Sequence, residues 1–241
     1  MSDNYKSNEP CHGPHNPQYS ENAARRAMSA KALDIEKRSF EIIESEIGGN
    51  HQYDEMQWAI VRRVIHATAD FDFAIKQKIV FHQKAIESAF NAIRRACAIV
   101  TDVDMVLAAI SKKSVGDLKL RTVCYISEAS VAEEARVLGR TRSEIAMRRA
   151  AKDMDGGIVA IGNAPTALYE VIKMITEGVT EPALVVGMPV GFVSAAESKE
   201  ELAKMNKVPF ITNMGRKGGS SVASSIINAM LLLYQNKQSL A

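Results

Sequence analysis

Two kinds of hydrophobic spacing divide the chain near residue 95. Before it, apolar residues recur at the three- and four-residue intervals of amphipathic helices. ALDIEKRSFEIIESEIGG sets Leu33, Ile35, Phe40, Ile42, Ile43 and Ile47 in that rhythm and stops at a glycine pair, a common way to end a helix. DEMQWAIVRRVIHATAD follows, with Asp54 suited to cap its start and Gln57 three residues on as the reciprocal partner of a capping box. A third helical segment runs through HQKAIESAFNAIRRA. After residue 95 come CAIVTD, RTVCYI, GIVAIGNAP, ALVVGMPVG and PFITN, short apolar or β-branched runs that each close in polar or turn residues. Helices are expected among them at 104–110, 129–138, 142–152, 164–176, 196–204 and 219–234. Strand–helix alternation at this spacing predicts a parallel sheet covered on both faces. The reading is one α/β domain over residues 23–236 with a helical N-terminal portion.

Residues 1–22 are rich in Asn, Pro, Ser and His and nearly devoid of aliphatics, which predicts a mobile tail. Within it CHGPH gathers Cys11, His12 and His15, more simply read as incidental than as a metal site, and no metal is expected. The formal net charge of +2 gives no excess of positive charge for nucleic acid or a membrane surface. It leaves room for an anionic small molecule met by local arginines. Three cysteines without CxxC spacing suggest reduced thiols. The polar start lacks the apolar core of a signal peptide and no stretch is apolar enough to span a bilayer. A cytoplasmic protein is the expectation.

In open parallel sheets, ligands collect outside the carboxyl ends of the strands. GNAPT at 162–166 offers Asn163, backbone amides and Thr166 at a helix start, a cradle for a carboxylate or phosphate. GMPVGF at 187–192 and NMGRKGGSS at 213–221 add small residues for close approach, plus Arg216 and Lys217. None is a Walker motif or a dinucleotide GxGxxG, and no GxSxG or HExxH is present. Upstream, Arg62 and Arg63 precede His66 by four and three residues, so on a helix both approach its face. Asp70 lies one further turn on, where it could orient the ring. Such a histidine could exchange a proton near neutral pH. Taken alone, the pattern is better read as an amphipathic helix burying Trp58, Val61 and Ile65 with His66 at its edge.

Together these segments resemble the precorrin-8X methylmutase family, also called cobalt-precorrin-8 methylmutases. The carrying residues are KRSFEII at 37–43, RRVIHA at 62–67, GRTRS at 139–143, VAIGNAPTAL at 159–168, LVVGMPVGFVSAAESKEEL at 184–202 and GRKGGSS at 215–221. The resemblance implies a flavodoxin-like three-layer fold, a homodimer and no redox cofactor. It implies a methyl shift between adjacent carbons on ring C of a tetrapyrrole, converting precorrin-8 or cobalt-precorrin-8 to hydrogenobyrinate or cobyrinate. It places the catalytic histidine at His66 and substrate contacts at Ser39 and Arg63. Arg142, Asn163 and Thr166 are further expected contacts for the substrate's carboxylates. Asp70 and Asp72 in TADFDFA are unusually acidic beside a polyanion, so they are expected to turn from the substrate or pair with the arginines. The competing expectations are a corrin carrier without turnover and a plain nucleotide-binding module.

Overall fold

The structure, a computed structural model, describes residues 17–76 and 78–239. Cys11, His12 and His15 lie outside the described residues. The chain divides into two compact units, one ending at Ser45 and the other Glu46–Ala241. Helix α1 (Pro17–Ile47) reaches back into the stretch read as tail and stops where Gly48 takes the left-handed φ of 55°. Along α1, Ile43 and Ile47 are buried while Leu33, Ile35 and Ile42 are exposed.

In the larger unit, Asp54 caps α2 (Glu55–Thr68) as its sequence suggests. Its Oδ1 accepts from the Gln57 N–H at 2.9 Å, and Gln57 Oε1 accepts from the Asp54 N–H at 3.4 Å. The other end comes earlier than the spacing suggested. Ala69 turns left-handed, φ 53°, and its N–H closes on the Ile65 carbonyl at 2.7 Å. Asp70 therefore leaves the helix instead of adding a turn above His66.

Six strands form one sheet: β1 (Ile79–Phe81), β2 (Ala98–Thr101), β3 (Arg121–Val123), β4 (Ile158–Ile161), β5 (Leu184–Gly187) and β6 (Phe210–Asn213), in the order β1-β6-β5-β4-β2-β3. The five runs read as strands are β2 to β6, and all their pairings are parallel. The sixth corrects the expectation of helix throughout residues 23–95: β1 pairs antiparallel with β6, setting Ile79 opposite Asn213. Three residues are too few to show a period of two, so the strand exists through its neighbour. Without β1 the order has the flavodoxin pattern, with its topological switch between β2 and β4.

Every residue of β2, β4, β5 and β6 is buried, as strands covered on both faces require. Helices α6 (Ala129–Leu138), α7 (Arg142–Arg149), α9 (Pro165–Thr176) and α10 (Ala195–Met205) pack successively along one layer. In the other, α11 (Ser220–Ser239) packs against α2, α3 (Ala85–Arg94), α4 (Asp104–Ala109) and the short α5 (Lys112–Asp117). The expected helix over 142–152 breaks at Ala150, after which α8 (Ala151–Met154) leads to β4. Leu168, Val171, Val185 and Leu202 are wholly buried in the central core, each stabilising the fold by about 1.5–3 kcal/mol. No helix among the described residues is long and apolar enough to cross a membrane.

Candidate active site

At the switch point the chain supplies its own anion. Asp102 follows β2 and is wholly buried. Its Oδ1 accepts from the Gly162 N–H, and its Oδ2 from those of Asn163 and Ala164, all at 2.9 Å. Burial pushes this carboxyl above its ordinary range, against the pull of the three amides. The amides that looked like a cradle for a ligand are thus already occupied. Gly162 lets the loop pack closely on α4 and the start of α11: a Cβ there would lie 2.6 Å from Val106 Cγ2 and 2.9 Å from the Cα of Ser220.

With three amides taken, side chains supply most of what this loop offers a ligand. Asn163 is exposed. Thr166 Oγ1 lies 3.1 Å from Ser143 Oγ and 3.2 Å from Thr141 Oγ1. Thr141 caps α7 in a box with Glu144, so exposed Arg142 begins that helix between the two hydroxyls. Arg142 and Thr166 are thereby brought to one patch, with Asn163 three residues before Thr166.

The loops after β5 and β6 are stitched together. The Gly219 N–H donates to the Met188 carbonyl at 2.9 Å and the Gly191 N–H to the Arg216 carbonyl at 3.3 Å. A Cβ on Gly218 would collide with the Met188 and Pro189 carbonyl oxygens, so this approach requires glycine. Beneath them lies Lys199, 0% exposed. Its Nζ donates to Asn213 Oδ1 at 3.2 Å and to the Lys217 carbonyl at 2.6 Å. Burial pulls this ammonium down to about 8.

His66 and Arg63 stand one turn apart near the end of α2, both half-buried. Arg62 lines a separate pocket of about 540 Å³ with Met56, Trp58, Phe90 and Lys237. The acidic pair beyond the helix finds a partner that the pattern around His66 did not reveal. Asp70 caps a single 3-10 turn, Phe71–Phe73, accepting from the Asp72 N–H at 3.0 Å. Lys217 Nζ then donates to Asp70 Oδ2 at 2.7 Å and Asp72 Oδ2 at 2.8 Å. The hydrogen bond from Lys217 lowers the Asp72 carboxyl, and the two carboxylates raise the lysine. The end of the histidine helix is in this way moored to the β6 loop. Ser39 lies half-buried on α1, in the smaller unit.

Asp102, Lys199 and the mooring role of Lys217 were not singled out from sequence. An aspartate closing an apolar run, as in CAIVTD, was the available signal for Asp102, and it acquires meaning only once β2 is known to lie beside β4.

The precorrin-8X methylmutase family model matches residues 34–233. A cobalt-precorrin-8 methylmutase of Priestia megaterium is 49% identical over 212 residues, covering 86% of this chain and 91% of that protein. One of Leptospira interrogans is 43% identical over 219 residues, covering 88% and 98%. The crystal structure of a precorrin-8x methyl mutase from Thermus thermophilus superposes with a TM-score of 0.77 at 36% identity, covering 85% of this chain and 97% of that one. With fold and sequence in agreement along nearly its whole length, the chain is an isomerase that belongs to the precorrin-8X methylmutase family.

Proposed function

We propose that this chain moves a methyl group between adjacent carbons on ring C of a tetrapyrrole, converting cobalt-precorrin-8 or precorrin-8 to cobyrinate or hydrogenobyrinate. The observation that carries the reading is the family match over residues 34–233. In the shift one carbon–methyl bond breaks and another forms within the same molecule, with no net change of redox state. Protonating the conjugated system makes the receiving carbon more electron-poor. His66 lends that proton and recovers it afterward, a task suited to imidazole near neutral pH. Arg63 and Ser39 hold the substrate, and Arg142, Asn163 and Thr166 receive its peripheral carboxylates. The exposed Leu33, Ile35 and Ile42 of α1 support assembly as a homodimer, which sedimentation at micromolar concentration tests.

The enzymatic test follows the absorbance spectrum after mixing the protein with precorrin-8 and, separately, cobalt-precorrin-8. The unmodified chain should convert at least one form. His66→Ala should retain the pigment but turn it over roughly 10²–10⁴-fold more slowly. A normal rate in that variant refutes the role given to His66. Binding of both pigments by the unmodified chain without any spectral change would make it a carrier.

A further inference from the structure

The outer edge of the two stitched loops bears a surface that the roles above leave unused. Phe192 is 86% exposed and Val193 81%, and Val190 and Met214 are exposed beside them. Scattered exposed hydrophobics need no explanation, whereas a group on adjoining loops marks an interaction site. Its base is held firmly. Gly191, at φ 149°, anchors on the Arg216 carbonyl, and Ser194, left-handed at φ 63°, turns the chain directly into α10.

The guanidinium of Arg216 lies 5.3 Å from the centroid of the Phe192 ring. Lys217, next in sequence, is committed to Asp70 and Asp72, whereas Arg216 is exposed with an aromatic ring beside it. Beside the pair is a shallow, open depression lined by Lys76, Phe192, Ala196, Glu197, Met214 and Arg216. Lys76 approaches Asp72 only at 3.9 Å, so it adds positive charge at the rim. Glu197 on the α10 side repels an acidic group from that wall and leaves the Arg216 side to it. Four side chains fall well short of the roughly 800 Å² per partner that a stable protein interface buries, so the size favours a small ligand. The matching chemistry is a flat apolar ring system with carboxylate arms.

We infer that Phe192 and Arg216 form a clamp for the substrate, the ring packing on the macrocycle's face and the guanidinium gripping a peripheral carboxylate. The inference rests on the function proposed above and extends it to the loops after β5 and β6, beyond His66 and the five contact residues named there. The contact is noncovalent and involves no proton transfer.

The probe is hydrogenobyrinate, the metal-free product, titrated into the full chain and followed by absorbance. Arg216→Met should weaken binding on the order of tenfold or more, the usual loss for a charge-assisted hydrogen bond. Arg216→Lys should recover part of it, a point charge without the planar fork. Phe192→Ala should weaken binding roughly 2- to 10-fold, and the Arg216 effect should shrink in high salt. Both side chains face solvent, so unchanged urea midpoints will verify that the variants fold. Binding within twofold of the unmodified chain in both variants overturns the clamp. So does a Phe192→Ala change in sedimentation with pigment affinity intact, which would assign the patch to a second copy. If the unmodified chain converts cobalt-precorrin-8 while the variants bind normally, only the clamp fails. If it neither binds nor converts either tetrapyrrole, the proposed function fails with it.

Discussion

Asp102→Asn isolates the closure of the switch point. The carboxylate serves three backbone N–H groups at 2.9 Å from a wholly buried position. Asparagine keeps one acceptor oxygen and turns an NH₂ donor toward at least one amide donor. One or two of the three bonds are lost, and hydrogen bonds to a charged group are each worth about 1.5–3 kcal/mol. Against this, asparagine removes a buried charge whose carboxyl is already pushed up by desolvation. The net cost should be about 3 kcal/mol. For a chain of this size that corresponds to a Tm lower by roughly 6–12 °C. Thermal unfolding measures the loss, and hydrogen exchange at the Gly162 and Ala164 amides locates it, since both should exchange faster. A Tm within about 2 °C of the parent, with unchanged exchange, would mean that Asp102 does not hold the loop.

Lys199→Met should leave stability at pH 7 unchanged or higher, because the Lys217 carbonyl keeps the Asn213 Nδ2 bond at 3.0 Å. The parent's ammonium is lowered to about 8 from 10.5, so the unfolded chain holds more protons between those values and parent stability should gain on the variant by about 3 kcal/mol as pH rises through that window; parallel urea curves without that convergence contradict it. Lys217→Met should lower kcat/KM on the order of tenfold by leaving Asp70 and Asp72 without their shared cation, and Lys217→Arg should restore most of it; an unaffected rate would show that the mooring does not position α2. Because Asp72 is held below its ordinary 3.8, its contribution is present at neutral pH, and the stability gap between parent and Lys217→Met should close as pH falls through that lowered value. Gly218→Ala should cost on the order of 2–3 kcal/mol in urea unfolding, as two backbone carbonyls block its Cβ, while Gly139→Ala, left-handed at φ 63° in open space, should cost only about 1–2 kcal/mol.

The parts of this fold that were legible in sequence are those set by local chemistry. The capping box of α2 and the five buried strands depend on residues within a few positions of one another. So does α6, whose bounds at 129 and 138 match their expectation. The parts that were not legible depend on partners far along the chain. Strand β1 needs β6, some 130 residues later. Asp70 read as a turn of helix above His66 because nothing nearby shows that Ala69 ends α2, nor that the carboxylate has Lys217 to hold, 147 residues away. The surroundings of the proposed site divide in the same way. The helix that carries Arg63 and His66 and the helix start at Thr166 follow from local spacing, but the occupant of the GNAPT amides lies 60 residues upstream at the end of another strand.

That occupant bears on how this fold would recognise its ligand. A doubly wound sheet ordinarily offers backbone amides at the switch point to an anionic group, and here Asp102 takes three of them. In the proposed reaction anion recognition then falls mainly to side chains, which cost more conformational entropy to order than fixed amides do. The compensation is reach. A single amide cradle holds one phosphate or carboxylate, whereas the substrate in the proposed reaction bears carboxylates around a broad ring. Arg63 on α2, Arg142 on α7 and Arg216 after β6 come from three different elements of the fold. A closed switch point is therefore what a site adapted to a wide polyanion should have, and it disfavours the nucleotide-binding alternative at the one place where a nucleotide's phosphate would be expected to sit.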